Sequence, residues 1–453
     1  MGGLWPSVRP EHRSRRRAHG ARRARRGLGR SYHALVSATG LSAVGNGVVL
    51  VAFPLLALRF THNPVLISGV AVAGRLPALV VGLPAGVMAD RVSRRALAVG
   101  AELARLAALL AFSLLLVTHM ASLVTLYATV LVIGTGDQFY QAAAFASLPT
   151  IVPDDLLDRA NGRLEGVDLA GEQFLGQGVG GLLLTLGRAL PFVTDAVSFL
   201  ASGLLVARAL PANDAGPAET GLLEDLRSGL RWFMGHRVLR LLAALIGSFS
   251  FCGYMVVGLL VLFARDVLHV SATGYGLLLA SLAVGNVVGS LLASRMASRF
   301  GAIPIVLSAG AIAGASYAIV GWQRSMWATV VFLLAENVAI PIANVASLSL
   351  RQRVIPDKLL GRVGMTFRMV IFGLMPLGAL AGGILAHFMA VSDVFVVAGL
   401  MQLVALGAIG PLLRRASRPP AIDLTGAGGR PAADQVAVPT GSGTAGPTRP
   451  PTA

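Results

Sequence analysis

Twelve apolar stretches, each about as long as a bilayer is thick, follow one another along the chain with short loops between most of them. A helix needs about 20 mostly apolar residues to cross the ~30 Å hydrocarbon core. Inside that core each backbone polar group must find its partner within the segment, so the pattern dictates a helical bundle. The stretches lie near 33–58, 65–88, 96–117, 122–147, 164–187 and 190–209, then 240–264, 272–296, 303–322, 327–349, 365–388 and 394–413. Over 453 residues, 55% are hydrophobic and 13% charged, with a mean hydropathy of +0.72, which sets the chain apart from ordinary globular domains. The expected fold is an all-α polytopic membrane protein, twelve transmembrane helices in two pseudo-symmetric six-helix bundles.

A net charge of +17 would suit a nucleic-acid partner if it formed a surface patch. Its placement points elsewhere. Ten arginines fall within residues 1–30, and most of the others fall in loops after even-numbered stretches: Arg91, Arg94 and Arg95, then Arg159 and Arg163, Arg208 to Arg240, Arg295 and Arg299, and Arg351 to Arg362. The opposite loops hold only Arg59, Arg188, Arg265 and Arg324. Short-loop basic bias sets orientation, so both termini are expected in the cytoplasm of a bacterial cell, with membrane lipids as neighbours and no nucleic-acid partner. The lone Cys252 excludes a disulfide framework. With eight histidines mostly in termini and loops, no metal site or cofactor is expected. Gly176, Gly178 and Gly181 fit Gly-x-Gly-x-x-Gly, but no strand precedes them, so dinucleotide binding is not expected. No catalytic constellation appears, and an enzyme is not expected.

The stretches divide the chain into a basic tail (1–32), a first bundle (33–209), a polar linker (210–239) with an amphipathic piece from Leu222 to Phe233, a second bundle (240–415) and a Pro/Gly-rich tail (416–453) expected to be disordered. The halves repeat. Val152-Pro153-Asp154-Asp155-Leu156-Leu157-Asp158-Arg159 matches Ile355-Pro356-Asp357-Lys358-Leu359-Leu360-Gly361-Arg362 at an offset of 203, and Ser298-Arg299-Phe300-Gly301 stands where its partner loop has Asp90-Arg91-Val92-Ser93. Such repeats build many secondary transporters, with the substrate path between them.

The loop after the second stretch reads Gly86-Val-Met-Ala-Asp90-Arg91-Val-Ser-Arg94-Arg95. With this loop the chain resembles a major facilitator superfamily transporter over about residues 31–415. Ser93 replaces the signature's internal glycine. Ser42-Ala-Val-Gly45-Asn46-Gly47, Leu148-Pro149-Thr-Ile-Val152-Pro153, Arg159-Ala160-Asn161, Asp195-Ala-Val-Ser-Phe199, Leu360-Gly361-Arg362-Val363 and Pro376-Leu-Gly378 are similar to the branch with macrolide efflux proteins and the enterobactin exporter. The resemblance implies a monomeric proton-antiport exporter of an amphipathic small molecule, a macrolide-like drug or siderophore, driven by the proton gradient. It also implies that Asp90 meets the N-terminal end of the eleventh helix and latches the outward-open state, while Arg91, Arg94 and Arg95 hold acids or lipid phosphates. Gly86 is expected to allow close helix packing. An importer or uniporter, or a transport-inactive sensor with the same fold, are the alternatives.

Charges within the stretches are costly, roughly 2.5–3.5 kcal/mol each on insertion scales, and so mark function. Glu165, Asp168 and Glu172 fall within a wedge of about 60° on the fifth helix, which is expected to face the central cavity or paired arginines. Arg75, Asp137 and Glu336 lie near midplane, as does Asn46, where the family often has an acid. Asn46, Arg75, Asp137, Asp168, Glu172 and Glu336 are the candidate proton or substrate sites. Glu102 and Arg105, three apart, are expected to pair within their helix, and Asp195 to serve packing or hydrogen bonding. Family antiporters often carry Gly-x-x-x-Gly-Pro-x-x-Gly-Gly on the fifth helix, where this chain has Glu172-Gln-Phe-Leu-Gly176-Gln177-Gly178-Val-Gly180-Gly181. Gly176, Gly180 and Gly181 keep close packing there, as Gly378, Gly382 and Gly383 do on the eleventh helix, while Gln177 adds polarity to the presumed path. The cavity is otherwise expected to be mostly Gly, Ala, Leu, Val and Phe, suited to bulky, poorly charged ligands.

Overall fold

The computed structural model describes residues 28–210, 230–356 and 359–417. Both tails and most of the linker lie outside these residues, with the expectations placed on them. The described helices are α1 (Arg30–Phe60), α2 (Pro64–Val80), α3 (Gly82–Arg91), α4 (Arg94–Val117), α5 (Leu123–Ile151), α6 (Leu157–Leu169), α7 (Gln177–Leu186) and α8 (Leu190–Ala209). They continue with α9 (Arg237–Asp266), α10 (Ala272–Phe300), α11 (Ala302–Trp322), α12 (Met326–Val354), α13 (Leu360–Phe388) and α14 (Val391–Ala416). Nine are long and apolar enough to span a membrane. The other crossings are α5, with Asp137, Gln138 and Gln141 at its middle, and two broken helices. The chain is a multi-pass, all-α membrane protein.

Local chemistry sets the helix starts. The Asn63 side chain accepts from Val65 N at 2.9 Å with Pro64 in the first turn. Ser122 and Thr125 form a reciprocal capping box on α5, and Ser271 accepts from Gly274 N on α10. Ser93 accepts from Ala96 N at 3.4 Å, with φ of −51°. A residue with negative φ needs no glycine, so the serine standing in for the signature glycine gains a capping role.

The second crossing breaks at Val81 because Pro84 lacks the N–H that would bond the Val80 carbonyl. The fifth crossing is not one regular helix. It starts seven residues earlier than its apolar stretch, at Leu157, and passes through a π-helical turn, Ala170–Gly176, between α6 and α7. A π turn accommodates one extra residue within an α-helix, and the repeat shows where it came from. The loops entering the fifth and eleventh crossings match at an offset of 203, whereas Gly176, Gly180 and Gly181 match Gly378, Gly382 and Gly383 at 202. The fifth crossing has one residue more than its counterpart, and the π turn absorbs it.

These glycines put backbones in contact. A Cβ on Gly180 would lie 2.6 Å from the Val48 carbonyl oxygen of α1, and one on Gly176 only 2.6 Å from Gly47 Cα. In the second half a Cβ on Gly382 would stand 2.7 Å from the Met255 carbonyl oxygen, and one on Gly378 would overlap Phe251. Gly181 and Gly383 face the other half instead: Gly181 abuts Ala272 and Gly276 of α10, and Gly383 abuts Val65 and Ser68 of α2.

Those inter-half contacts lie toward the face away from the termini. An apolar core on that side joins Val51, Leu58 and Ile67 of the first six crossings to Met255, Leu259 and Leu262 of the second six. On the side of the termini the cores are separate, one around Tyr32, Leu35, Tyr140 and Leu148, the other around Leu239, Leu242, Ile246 and Phe367. The halves are joined at one face and parted at the other.

Candidate functional site: a cleft open toward the termini

A cleft of about 410 Å³ opens where the halves part. Its walls are Thr39, Ser42 and Asn46 of α1, Asp137, Tyr140, Gln141, Ala144 and Phe145 of α5, Leu164, Glu165 and Asp168 of α6, and Arg368 of α13. Asn46 and Asp137 stand at the middle of their crossings, and the other lining residues lie nearer the termini. The cleft is more mixed than the mostly apolar cavity the sequence suggested: three carboxylates and an arginine line it beside Tyr140, Ala144, Phe145 and Leu164. The apolar residues go to lipid and to the cores, while polar groups collect where water can solvate them.

Behind the α1–α5 wall lies an ionic core. Arg105 and Glu102 of α4 pair at 3.2 Å, both 0% exposed, as the spacing predicted. Arg105 reaches further than its own helix. Its Nη2 donates to Asn46 Oδ1 at 2.5 Å and lies 3.8 Å from Asp137 Oδ1, its Nη1 donates to Ser42 Oγ at 3.3 Å, and its guanidinium sits 3.9 Å from the Phe199 ring centroid. Ser202 donates to Glu102 Oε1 at 2.5 Å. One buried arginine thus ties α1, α4, α5 and α8, and holds Asn46 and Asp137 in place on the cleft wall. Sequence reading assigned Arg105 only its intrahelical partner, because helical spacing carries no information about neighbouring helices. Gln141 donates to the other Asp137 oxygen at 2.9 Å, and Asp137 remains 24% exposed. Asp195 is buried, accepts from Ser198 at 2.9 Å, and packs so closely on Gly45 that no side chain fits there.

Arg75 of α2 is open to the space between the halves, 5.6 Å from the Tyr254 ring centroid of α9, and interacts electrostatically with Glu172 and Asp137. Asp168 has Asp137, Glu172, Glu165 and Arg105 as charged neighbours. The acidic face of the fifth crossing therefore looks inward. Gln177 does not face the open path: it is buried, with its backbone carbonyl 3.2 Å from where a Cβ on Gly276 would stand.

Glu336 stands apart. It is buried in the second half, where Tyr317 of α11 donates to Oε1 at 2.7 Å and Asn337 donates to Oε2 at 2.8 Å. Asn286 of α10 donates through Nδ2 to Asn337 Oδ1 and to Gln173 Oε1 of the π turn, both at 3.1 Å. None of these three amides, Asn337, Asn286 and Gln173, stands out in the sequence, since an isolated Asn or Gln in an apolar helix carries no pattern of its own.

In the signature loop, Arg91 is exposed and Arg94 and Arg95 are half-buried. The Asp90 side chain lies outside the described part, and the latch expected of it with it. Gly86 is not a close-packing site: a Cβ there would meet nothing within 4 Å, because α3 ends at the face where the halves are parted. Among the described residues no cluster of three or more metal-ligating side chains occurs.

Crossings that repeat across two halves, with a polar cleft between them, define a membrane transporter of the major facilitator superfamily. The chain belongs to its transmembrane secretion effector family, matched over residues 30–420. It is 27% identical to the multidrug efflux pump Tap of Mycolicibacterium fortuitum over 390 residues, 83% of this chain and 93% of that one. It is 26% identical to the uncharacterized MFS-type transporter YkuC of Bacillus subtilis, covering 74% of this chain and 80% of that one. Among solved structures, a bacterial homologue of the iron transporter ferroportin in an inward-facing state superposes with a TM-score of 0.68 at 15% identity, over 87% of this chain and 100% of that one. A bacterial homologue of the human lysosomal transporter Spinster gives 0.66 at 16% identity, over 86% and 98%.

Proposed function

We propose that the protein is a secondary exporter. It takes an amphipathic small molecule from the cytoplasm into the cleft and releases it on the other side, exchanging it for protons by alternating access. The observation that carries this reading is the cleft itself, open on the arginine-rich face that bears the termini and closed at the opposite face by glycine-mediated contacts between the halves. With the basic loops cytoplasmic, that opening faces the cell interior, where an exporter loads. The similarity to an efflux pump supports the same direction.

The carboxylates Asp137, Glu165 and Asp168 favour a substrate with a cationic centre on an apolar body. A macrolide-like drug with a basic amine fits this lining; a polyanionic siderophore does not. Asp137, Asp168 and Glu172, within reach of Arg75 and Arg105, are the groups placed to exchange a proton against such a cation. Cells lacking their own pumps should retain several-fold less of a fluorescent cationic amphiphile when they express the protein, and Asp168→Asn should restore retention. Equal retention with and without correctly inserted protein would overturn the reading.

A further inference from the structure

The hydrogen-bond chain from Glu336 to the π turn crosses between the halves, and its polarity is fixed. A carboxylate can only accept, so with Tyr317 on one oxygen, Asn337 must turn its amide nitrogen toward the other. That leaves Asn337 Oδ1 facing Asn286, which must donate to it, and Asn286 uses the same NH₂ group to donate to Gln173 in the first half. The Asn337 nitrogen is held further by the Leu333 carbonyl at 2.8 Å.

We infer that Asn286 is a positioning residue that couples the state of Glu336 to the contact between the halves, holding the termini-side-open arrangement while Glu336 accepts and releasing it when Glu336 donates. The inference rests on the alternating-access reading above. When Glu336 takes a proton from water on Oε2, the oxygen facing Asn337, its new O–H becomes a donor there, and the Asn337 amide turns over at the expense of its bond to the Leu333 carbonyl. Asn337 must then present an oxygen to it and a nitrogen to Asn286, so Asn286 must present oxygen to both neighbours. The carbonyl oxygen of Gln173 loses its donor, and the inter-half bond breaks unless that side chain also turns over. Among the described residues, the groups acting on Glu336 are Tyr317 from α11, with Cys252 of α9 beside that tyrosine, and the neutral Asn337 of its own helix, through which Asn286 of α10 connects. Buried polar chains of this kind are sensitive to the loss of any one member.

The test is a pair of spin-label distances by double electron–electron resonance in lipid nanodiscs, on the full chain in a Cys252→Ala background. Gly162→Cys with Ser298→Cys reports the face bearing the termini, and His62→Cys with His387→Cys the opposite face. Acidification from about pH 8 to about pH 5, the span over which buried carboxyl groups titrate, should lengthen the second distance and shorten the first. Asn286→Leu and Glu336→Gln should each shift the populations about fivefold toward that arrangement at high pH, the ratio supported by one hydrogen bond of ordinary net strength, and blunt the pH response. Asn286→Gln should restore much of it, and Ser281→Ala, on the same helix but bonded only to Leu278, should change nothing. Where Asn286→Leu does not yield monodisperse protein, Gln173→Leu gives the same reading from the other partner. A wild-type distribution in Asn286→Leu, or a wild-type pH response in Glu336→Gln, overturns the coupling even if export is demonstrated. Distances that shift as described in a protein that exports nothing uphold the coupling and remove the exporter reading.

Discussion

Arg105 concentrates more of the first half's polar energetics than any other described side chain. It is fully buried, pairs with Glu102, approaches Asp137 and accepts no substitute for its fork of donors, which reaches Ser42 and Asn46 at once. Removing one member of a buried ion pair leaves an uncompensated charge at a cost of about 3–5 kcal/mol, while replacing the whole group by apolar residues of similar size costs far less. Arg105→Leu should therefore lose monodispersity or melt far below wild type in a detergent thermal-shift assay. Arg105→Leu with Glu102→Leu and Asp137→Asn should recover much of that stability while failing to transport. Equal melting of the single and triple variants would show that the buried charges are not what the arginine is there to balance.

Helix packing follows a different logic, that of glycines facing carbonyl oxygens. A methyl group on Gly180 or Gly382 would press on a carbonyl oxygen of the neighbouring helix, whereas one on Gly178 would meet Ala280 at an ordinary 3.8 Å. Gly180→Ala and Gly382→Ala should each destabilise by about 1–3 kcal/mol, the usual cost of overpacking, read as a lower midpoint in thermal unfolding. Gly178→Ala should stay near wild type, and equal shifts in all three would contradict the assigned faces. This part of the fold was legible in the sequence, because apolar length and glycine spacing are local properties that a bilayer turns directly into helices and close contacts. The π turn was legible only through the change of offset from 203 to 202 between the halves, a signal visible once both glycine sets are compared. Gly86 shows the converse. A glycine at a family position suggested packing, but what surrounds it depends on which face of the molecule is closed, and a sequence does not carry that.

At the scale of the whole molecule, the two halves share a core at one face and keep separate cores at the other, with acids lining the space between. Polar residues inside apolar stretches pointed to part of the cleft wall: Asn46, Asp137, Glu165 and Asp168 are among its twelve lining residues, and Arg75 and Glu172 interact electrostatically with Asp137. The sequence did not reveal the cleft's polar character or the position of Arg368 opposite the acids, because both arise from residues of distant segments meeting. The most direct test of the account is proton movement in energised inside-out vesicles containing the protein, with macrolides and other amphipathic amines added one at a time. A cationic amphiphile should collapse the pH gradient, and Asp137→Asn or Asp168→Asn should abolish that response without removing the protein from the membrane. A gradient untouched by every compound, in vesicles where a known antiporter responds, would contradict proton-coupled export through this cleft.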